Sequence, residues 1–556
     1  MTEEGRHKLQ IVRDYHQRTK HHPDRYAASL GYMDWENQPD PFRSFADTEY
    51  IDLPHPPLRD QPGYDGLFFR PPKPVALDAE GVGRLLYHSL ALSAWKQAPM
   101  RRPWSLRINP SSGDLHPTEG YLISGPVPGL IPQPGVYHYA PFRHQLELRC
   151  RLSDRQWQQL SGNLPAPCLL LGLSSIYWRE SWKYGERAFR YCHHDVGHAL
   201  GAIAFAARTL GWRTRLLDGI ADTDLNRLLG THGQSGIEAE HGDCLVALFP
   251  AGILPAELSF QDLTAQGLAG PGNLACLGRP NRLSRDHHGW PVIEEVARAV
   301  RRETAGIFGG TTAVKVSPPA LPDMLPLRPH GAEQIIRQRR SAVDMDGSSF
   351  LDRDVFYQMM QRILPGHFPF TVLPWQPRIS PVLFVHRVEN LEPGIYLLVR
   401  SAAHESSLRR ALNQEFEWLR PSGCPLELPF YRLLAADVIE AAKAVSCHQD
   451  IAGDGAFSLG MLAEFHAALA EQGAAIYPRL FWECGLIGQV LYLEAEAAEM
   501  RSTGIGCFFD DAMHRILGLA DSTWQSLYHF TVGAPVEDPR LQTIAPYAHL
   551  QPSPDR

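Results

Sequence analysis

The chain has 556 residues, 44% of them hydrophobic and 21% charged, with a formal net charge of -8. That length exceeds what one core serves, so two or more domains are expected, and the weak negative charge gives no footprint for nucleic acid or an anionic membrane surface. No apolar run nears the length of a membrane span, the N-terminal residues lack the apolar core of a signal peptide, and nine scattered cysteines fit reduced thiols better than a disulfide framework or zinc site, so the expected location is the cytoplasm.

Residues 1–75 are rich in Pro, Asp and Tyr and read as an irregular N-terminal extension. A first domain is expected over 76–310. In it, Asn109-Pro-Ser-Ser-Gly-Asp-Leu-His-Pro-Thr-Glu reads as a loop: Pro110 fixes φ, the Ser111 and Ser112 hydroxyls bond locally, and Gly113 permits close backbone approach to a flat ligand. A tight turn with no ligand is the alternative. Next, Pro128-Gly-Leu-Ile-Pro-Gln-Pro-Gly-Val-Tyr-His-Tyr reads as a turn feeding a strand. Trp182-Lys-Tyr-Gly-Glu-Arg reads as a helix start or a turn, and only a turn lets the adjacent side chains of Lys183 and Tyr184 reach one point. The following run, Asp195-Val-Gly-His-Ala-Leu-Gly-Ala-Ile-Ala-Phe, reads as a helix with small residues on one face. His194 and His198 stand at i and i+4 like metal ligands, but no third ligand is evident; polar groups beside an interfacial helix are the expectation, and no metal.

A proline-dense stretch, Ser317-Pro-Pro-Ala-Leu-Pro-Asp-Met-Leu-Pro-Leu-Arg-Pro, marks a semi-rigid linker over 311–330, and the second domain is expected over 331–556. It opens on a helical stretch from Ala332 that ends at Arg339-Arg340-Ser341, which read either as a solvated helix end or as guanidinium forks, a hydroxyl and backbone N–H groups aimed at a phosphate. Ser349-Phe-Leu-Asp resembles a capping box, followed by apolar residues at helical spacing (Val355, Met359, Met360, Ile363, Leu364). Glu389-Asn-Leu-Glu-Pro-Gly-Ile-Tyr then repeats the earlier turn and strand, and Glu483-Cys-Gly-Leu-Ile-Gly-Gln repeats the small-residue helix. Thr503-Gly-Ile-Gly-Cys puts Gly504, Ile505, Gly506 and Cys507 in a segment whose glycines let backbone amides reach a ring; it lacks the third glycine of a dinucleotide fingerprint. Arg540 reads as an exposed arginine or a second phosphate contact. Short strand-like runs between helices, without βαβ alternation, favour an α+β sandwich over a doubly wound sheet.

The Pro110–Gly113 loop, Arg339-Arg340-Ser341 and the Gly504–Cys507 segment resemble elements of the nitroreductase-like flavoproteins, in which FMN lies across a dimer interface and takes ligands from both partners. The loop resembles that of the SagB-type dehydrogenases, the branch that includes azoline dehydrogenases of peptide natural-product pathways, and the resemblance covers most of both halves. It implies two nitroreductase-like α/β sandwich domains in one chain forming an intramolecular pseudo-dimer. It also implies an FMN-dependent oxidoreductase, with Arg339-Arg340-Ser341 on the phosphate and ribityl chain, Gly504–Cys507 at the ring, and Lys183-Tyr184 as acid/base pair toward a small-molecule or peptide substrate that gives hydride to flavin N5. Tyr and Lys pKa values near 10 would have to be lowered for that task. The sequence departs from the family at Val343, where a second basic residue is usual. The first half keeps the loop and lacks a clear Arg-Arg-Ser, while the second keeps Arg-Arg-Ser and Gly-Ile-Gly but has only Pro374-Trp-Gln-Pro-Arg-Ile-Ser at the loop position, so one composite site per chain is expected. Two alternatives stay open: an NAD(P)H-dependent nitro or quinone reductase, and a flavin-binding scaffold without catalysis.

Overall fold

The structure, a computed structural model, describes residues 2–162, 164–251, 274–303 and 330–551, so the expected linker at 311–330 lies almost wholly outside the described residues. Two antiparallel sheets dominate. The first runs in the order Tyr50–Asp52, Gln145–Arg151, Gly135–Ala140, Thr118–Ser124, Leu169–Ser175, His241–Pro250, Trp212–Leu216. The second runs Phe430–Ala435, Gly394–Leu398, Ile379–Val385, Phe457–Glu464, Trp524–Gly533, Arg501–Ile505. Without the Tyr50–Asp52 edge strand the two orders correspond strand for strand. The repeated Pro-Gly-Val-Tyr and Pro-Gly-Ile-Tyr occupy equivalent places: Gly135 and Gly394 open their strands opposite Ser124 and Val385, and each strand has a register shift just before its tyrosine, Tyr137 or Tyr396. This is the expected mixture of helices and sheets, the sheets being antiparallel, and no doubly wound sheet is present among the described residues.

Two 22-residue helices, Ala188–Thr209 and Ile476–Ala497, pack against each other and are buried along almost their whole length. Their contact is built on glycine. A Cβ on Gly197 would lie 2.3 Å from the Trp482 carbonyl oxygen and 2.9 Å from the Gly485 Cα, and a Cβ on Gly485 would lie 2.2 Å from the His194 oxygen and 2.9 Å from the Gly197 Cα. The reciprocity makes a local two-fold relation between the halves. Backbones this close require the absence of a side chain, which offsets the roughly 0.5–1 kcal/mol that glycine costs inside a helix. One core cluster runs through this contact, from Val82 and Leu171 in the first half to Leu459 and Val490 in the second.

Residues 1–75 are more ordered than their composition predicts. Glu3–Arg18 is a helix capped by the Thr2 hydroxyl, and it buries Leu9, Val12, Tyr15 and His16. Its apolar stripe is narrow and interrupted by charge, which hides it in a composition reading. The helix is held by the body: Arg190 donates to the His16 carbonyl and to the Thr19 hydroxyl, and both Arg187 (3.0 Å) and Arg190 (2.8 Å) pair with buried Asp510. The expected capping box at Ser349 is also displaced. Asp352 caps the helix Arg353–Arg362, accepting from the Asp354 and Val355 amides, while the Ser349 amide donates to Asp346.

Candidate functional site

A cavity of about 300 Å³ lies between the halves, at the lower end of the range for small-molecule sites. Its wall includes Pro110, Ser111, Ser112 and Gly113 from the first half and Arg339, Arg340, Ser341 and Gly504 from the second. These residues, separated by up to almost four hundred positions in sequence, share one wall because the central helices hold the sheets together.

The loop is shaped by local bonds. Strand Trp104–Arg107 feeds it, Ser112–Asp114 makes a short 3₁₀ turn, and Gly113 (φ 64°), Asp114 (φ 56°) and His116 (φ 52°) all adopt left-handed backbone. Such conformations are costly for Asp and His and persist because the surroundings impose them. The Ser111 hydroxyl accepts from the His116 amide at 2.8 Å, and the Ser112 amide donates to Asp195 at 3.3 Å. Lys183 and Tyr184 end the helix Tyr177–Tyr184, which breaks at Gly185 (φ 54°). Neither borders the cavity, yet both reach the loop: a Cβ on Gly113 would lie 2.8 Å from the Lys183 Nζ and 2.8 Å from the Tyr184 Oη. The helix terminus thus does what a helix interior cannot, bringing two adjacent side chains to one point. The Tyr184 ring also stacks on Tyr191 at 4.3 Å.

Arg339 and Arg340 follow the helix Ala332–Gln338 and join the halves: Arg339 donates to the Arg107 carbonyl (3.1 Å) and lies 5.0 Å from the Tyr492 ring centre, and Arg340 donates to the Ser93 carbonyl (3.1 Å). Ser341 hydrogen-bonds the Tyr492 hydroxyl at 3.0 Å, and that hydroxyl accepts from the Gly504 amide at 3.0 Å. Gly504 and Gly506 have packing reasons to be glycine, since a Cβ on either would lie 1.9 Å from an aromatic side chain, the Tyr528 hydroxyl or the Tyr191 ring. Of the expected ring segment only Gly504 borders the cavity. Ile505 belongs to a small core with Ala342 and Ile451, Gly506 meets Tyr191, and Cys507 meets Cys447. Arg540 is exposed and pairs with Asp538 at 2.8 Å; Asp538 borders the cavity and Arg540 does not.

The charges divide by chemistry. Lys96, Arg339, Arg340 and Arg501 line the cavity, the last paired with Glu537. Burial and the neighbouring Arg339 and Arg337 push the Arg340 guanidinium down to about 9, and the buried Arg339 Nε has no hydrogen-bond partner in the protein. A nearby anion would relieve both. Three carboxyls are pushed the other way: burial raises Asp195 to about 8 and Asp114 to about 6, and burial with the adjacent Asp195 raises Glu180 well above the usual range. One oxygen on each of Glu180 and Asp195 is buried without a partner. Burial and Glu180 also push the Tyr184 phenol well up, opposite to the lowering expected of a base. His198 lines the cavity, hydrogen-bonds Tyr528 at 3.1 Å and is held neutral by burial at about 3; His194 stacks on the Tyr528 ring at 4.0 Å.

Sequence reading did not single out Tyr492, Tyr528, Lys96 or Arg501, and it weighed His198 only as a metal ligand. For Asp195 a signal existed, a carboxyl among small apolar residues on a buried helix; for Lys96 and Arg501, ordinary charges on strands, none did.

The equivalent place in the other half is smaller. There Pro374-Trp-Gln-Pro stands where the loop would, and a cavity of about 120 Å³ lined by Trp375, Gln376, Arg400 and Glu483 remains. Glu483, the counterpart of Asp195, is neutralised by Arg400 and accepts from the Arg378 amide at 2.9 Å.

This architecture is that of the nitroreductase fold. Residues 389–534, within the second half, match the Nitroreductase family. A crystal structure of a putative nitroreductase from Anabaena variabilis superposes with a TM-score of 0.66 at 23% identity, covering 95% of this chain and 99% of that one, so the likeness in fold takes in both sheets. Among curated proteins, "Putative nitroreductase MJ1384" of Methanocaldococcus jannaschii is 31% identical over 126 residues, 22% of this chain. The match spans 62% of that relative, less than two thirds of its length. A chain of the E. coli microcin synthetase McbBCD complex, solved with truncated pro-MccB17 bound, aligns with a TM-score of 0.26 at 19% identity over 44% of this chain and 92% of its own.

Proposed function

We propose that this chain is an FMN-dependent oxidoreductase with one composite cofactor site between two nitroreductase-like halves that form an intramolecular pseudo-dimer. The observation that carries the reading is the shared wall: Pro110–Gly113, Arg339–Ser341 and Gly504 border one cavity. The fit to FMN rests on the unpartnered Arg339 Nε and on the surplus of buried positive charge at Arg340, both suited to a phosphate. In this reading Arg339, Arg340 and Ser341 bind the phosphate and ribityl chain, and Pro110–Gly113 and Gly504 lie along the ring. When bound, FMN supplies a two-electron hydride acceptor or donor. Lys183 and Tyr184 hold or move a proton beside Gly113, next to the Glu180 and Asp195 carboxyls. A SagB-type dehydrogenation, in which one substrate atom loses hydride while its neighbour loses a proton, assigns that proton to Lys183 or Tyr184; an azoline ring in a modified peptide is the substrate class.

A second reading has an observation of its own. The Asp195 carboxyl borders the cavity and burial raises it to about 8, so it carries a proton near neutral pH, which suits donation during NAD(P)H-driven reduction of a nitro or quinone acceptor.

The visible spectrum of the purified protein tests the shared premise, with a flavin band expected. Arg339→Ala removes one charge-assisted contact, worth roughly 1.5–3 kcal/mol, and is expected to weaken FMN binding about 10- to 100-fold in a titration of the apoprotein. An unchanged affinity, or a protein that binds no flavin, would end the proposal. Anaerobic mixing with NADPH then separates the readings, since rapid bleaching of the flavin belongs to the reductase.

A further inference from the structure

Two cysteines that the proposed flavin chemistry leaves unused stand side by side beyond the cavity wall. The Sγ of Cys507, three residues after Gly504, lies 2.7 Å from the Sγ of Cys447. That is within about 0.7 Å of a covalent S–S bond. The nearest comparable contact among the described residues, Cys150 to Cys276, is 3.9 Å. Cys447 and Cys507 are both half-buried, whereas Cys168, Cys192, Cys244, Cys424 and Cys484 are buried.

Their closeness is built into the backbone. Cys447 (φ 56°) and His448 (φ 56°) adopt left-handed conformations at the end of the helix Ile439–Val445, which costs non-glycine residues energy. Gln449 then donates to the Cys507 carbonyl (3.0 Å) and to the Ser446 carbonyl (2.8 Å), the Phe509 amide donates to Val445 (2.8 Å), and Arg187 donates to the Gly506 carbonyl (3.3 Å). The two segments are clamped on both sides of the sulfurs. The thiols are also unequal: the hydrogen bond with Cys447, aided by Arg187, holds Cys507 below its ordinary value, and the same bond with burial pushes Cys447 up. One thiolate that attacks and one thiol that resolves are what disulfide exchange uses.

We propose that Cys447 and Cys507 are a redox-active dithiol that small-molecule disulfides oxidise to an intramolecular disulfide. The Cys507 thiolate attacks one sulfur of a disulfide RSSR, forming a mixed disulfide and expelling RS⁻, which takes up a proton. Cys447 loses its proton and attacks the Cys507 sulfur; the S–S bond between Cys507 and the RS group breaks, and RS⁻ leaves and takes up a proton as the second RSH. The chain loses two hydrogens and two electrons, and RSSR becomes two RSH. The bond ties the segment after Gly504 to the end of the Ile439–Val445 helix, so oxidation fixes backbone that leads out of the cavity wall.

The test needs neither flavin nor substrate and stands or falls apart from the cofactor reading. The reduced full-length chain is treated with hydroxyethyl disulfide, alkylated without reductant, digested and mapped by mass. A Cys447–Cys507 cross-linked peptide is expected, with both thiols lost to alkylation, and Cys447→Ser is expected to stop at a mixed disulfide of Cys507 with mercaptoethanol. Alkylation of both thiols after treatment, a cross-link confined to other cysteines, or Cys507 without an adduct in the variant would each overturn the proposal.

Discussion

Asp195 concentrates the conflict at this site. Its carboxyl sits on a buried helix beside Glu180 and Asp114, is held by Ser111 and by the Ser112 amide at 3.3 Å, and keeps Oδ2 buried. Burial lifts it from an ordinary 3.8 to about 8. A carboxyl raised in the folded state binds more protons folded than unfolded between those two values, so stability falls as pH rises through that window. Asp195→Asn abolishes the titration and is expected to melt higher than the parent protein at pH 8, with a smaller difference at pH 5, in thermal denaturation of the flavin-free protein. Equal differences at the two pH values would mean that the carboxyl is not protonated in the fold. The slope that survives in the variant belongs in part to Asp243, also lifted to about 8 by burial. At this scale the sequence was only partly legible. Arg339, Arg340 and the Pro110–Gly113 loop, which border the cavity, could be singled out by their resemblance to a family's motifs, since residue type alone left a solvated helix end and a ligand-free turn open. Tyr492 and Tyr528 could not, since an aromatic on an apolar helix or strand looks like core until a distant backbone is brought against its hydroxyl.

The central helices were legible as elements. Small residues at Gly197, Gly201, Gly485 and Gly488 mark faces meant for close approach, and the repeat sets Gly197 against Gly485, the pair that meets across the two helices. Gly485→Ala tests the contact: its Cβ would meet the His194 carbonyl and Gly197 Cα, backbone that cannot swing aside, so the helices must part. Overpacking of this kind costs about 1–3 kcal/mol, and a lower urea midpoint with an unchanged m-value is the expected outcome. A midpoint within error of the parent would show that the helices pack less tightly than described. The Glu3–Arg18 helix was not legible. Its four inward side chains include a histidine and a tyrosine, and it depends on Arg187 and Arg190 more than on its own periodicity.

Across the whole molecule the halves have matching sheets but unequal chemistry. Where one side of the local two-fold presents Pro110–Gly113 and unpaired Asp195, the other presents Trp375 and a Glu483 closed by Arg400, and its cavity of about 120 Å³ falls well below that of the first. One flavin per chain is therefore the expected ratio when cofactor released by denaturation is measured against protein, and a ratio near two would show that the second place also binds. Turns, periodicity and small-residue faces are properties of neighbouring residues, so the class of fold, the repeat and the division of motifs between halves could be read along the chain. Folding alone settled which motif residues share a wall. It brought Arg339 to the Arg107 carbonyl and Lys183 and Tyr184 to Gly113, and it left Ile505, Gly506 and Arg540 away from the cavity. It also raised the carboxyls, since burial depends on what the opposite half of the chain covers and no local pattern encodes that.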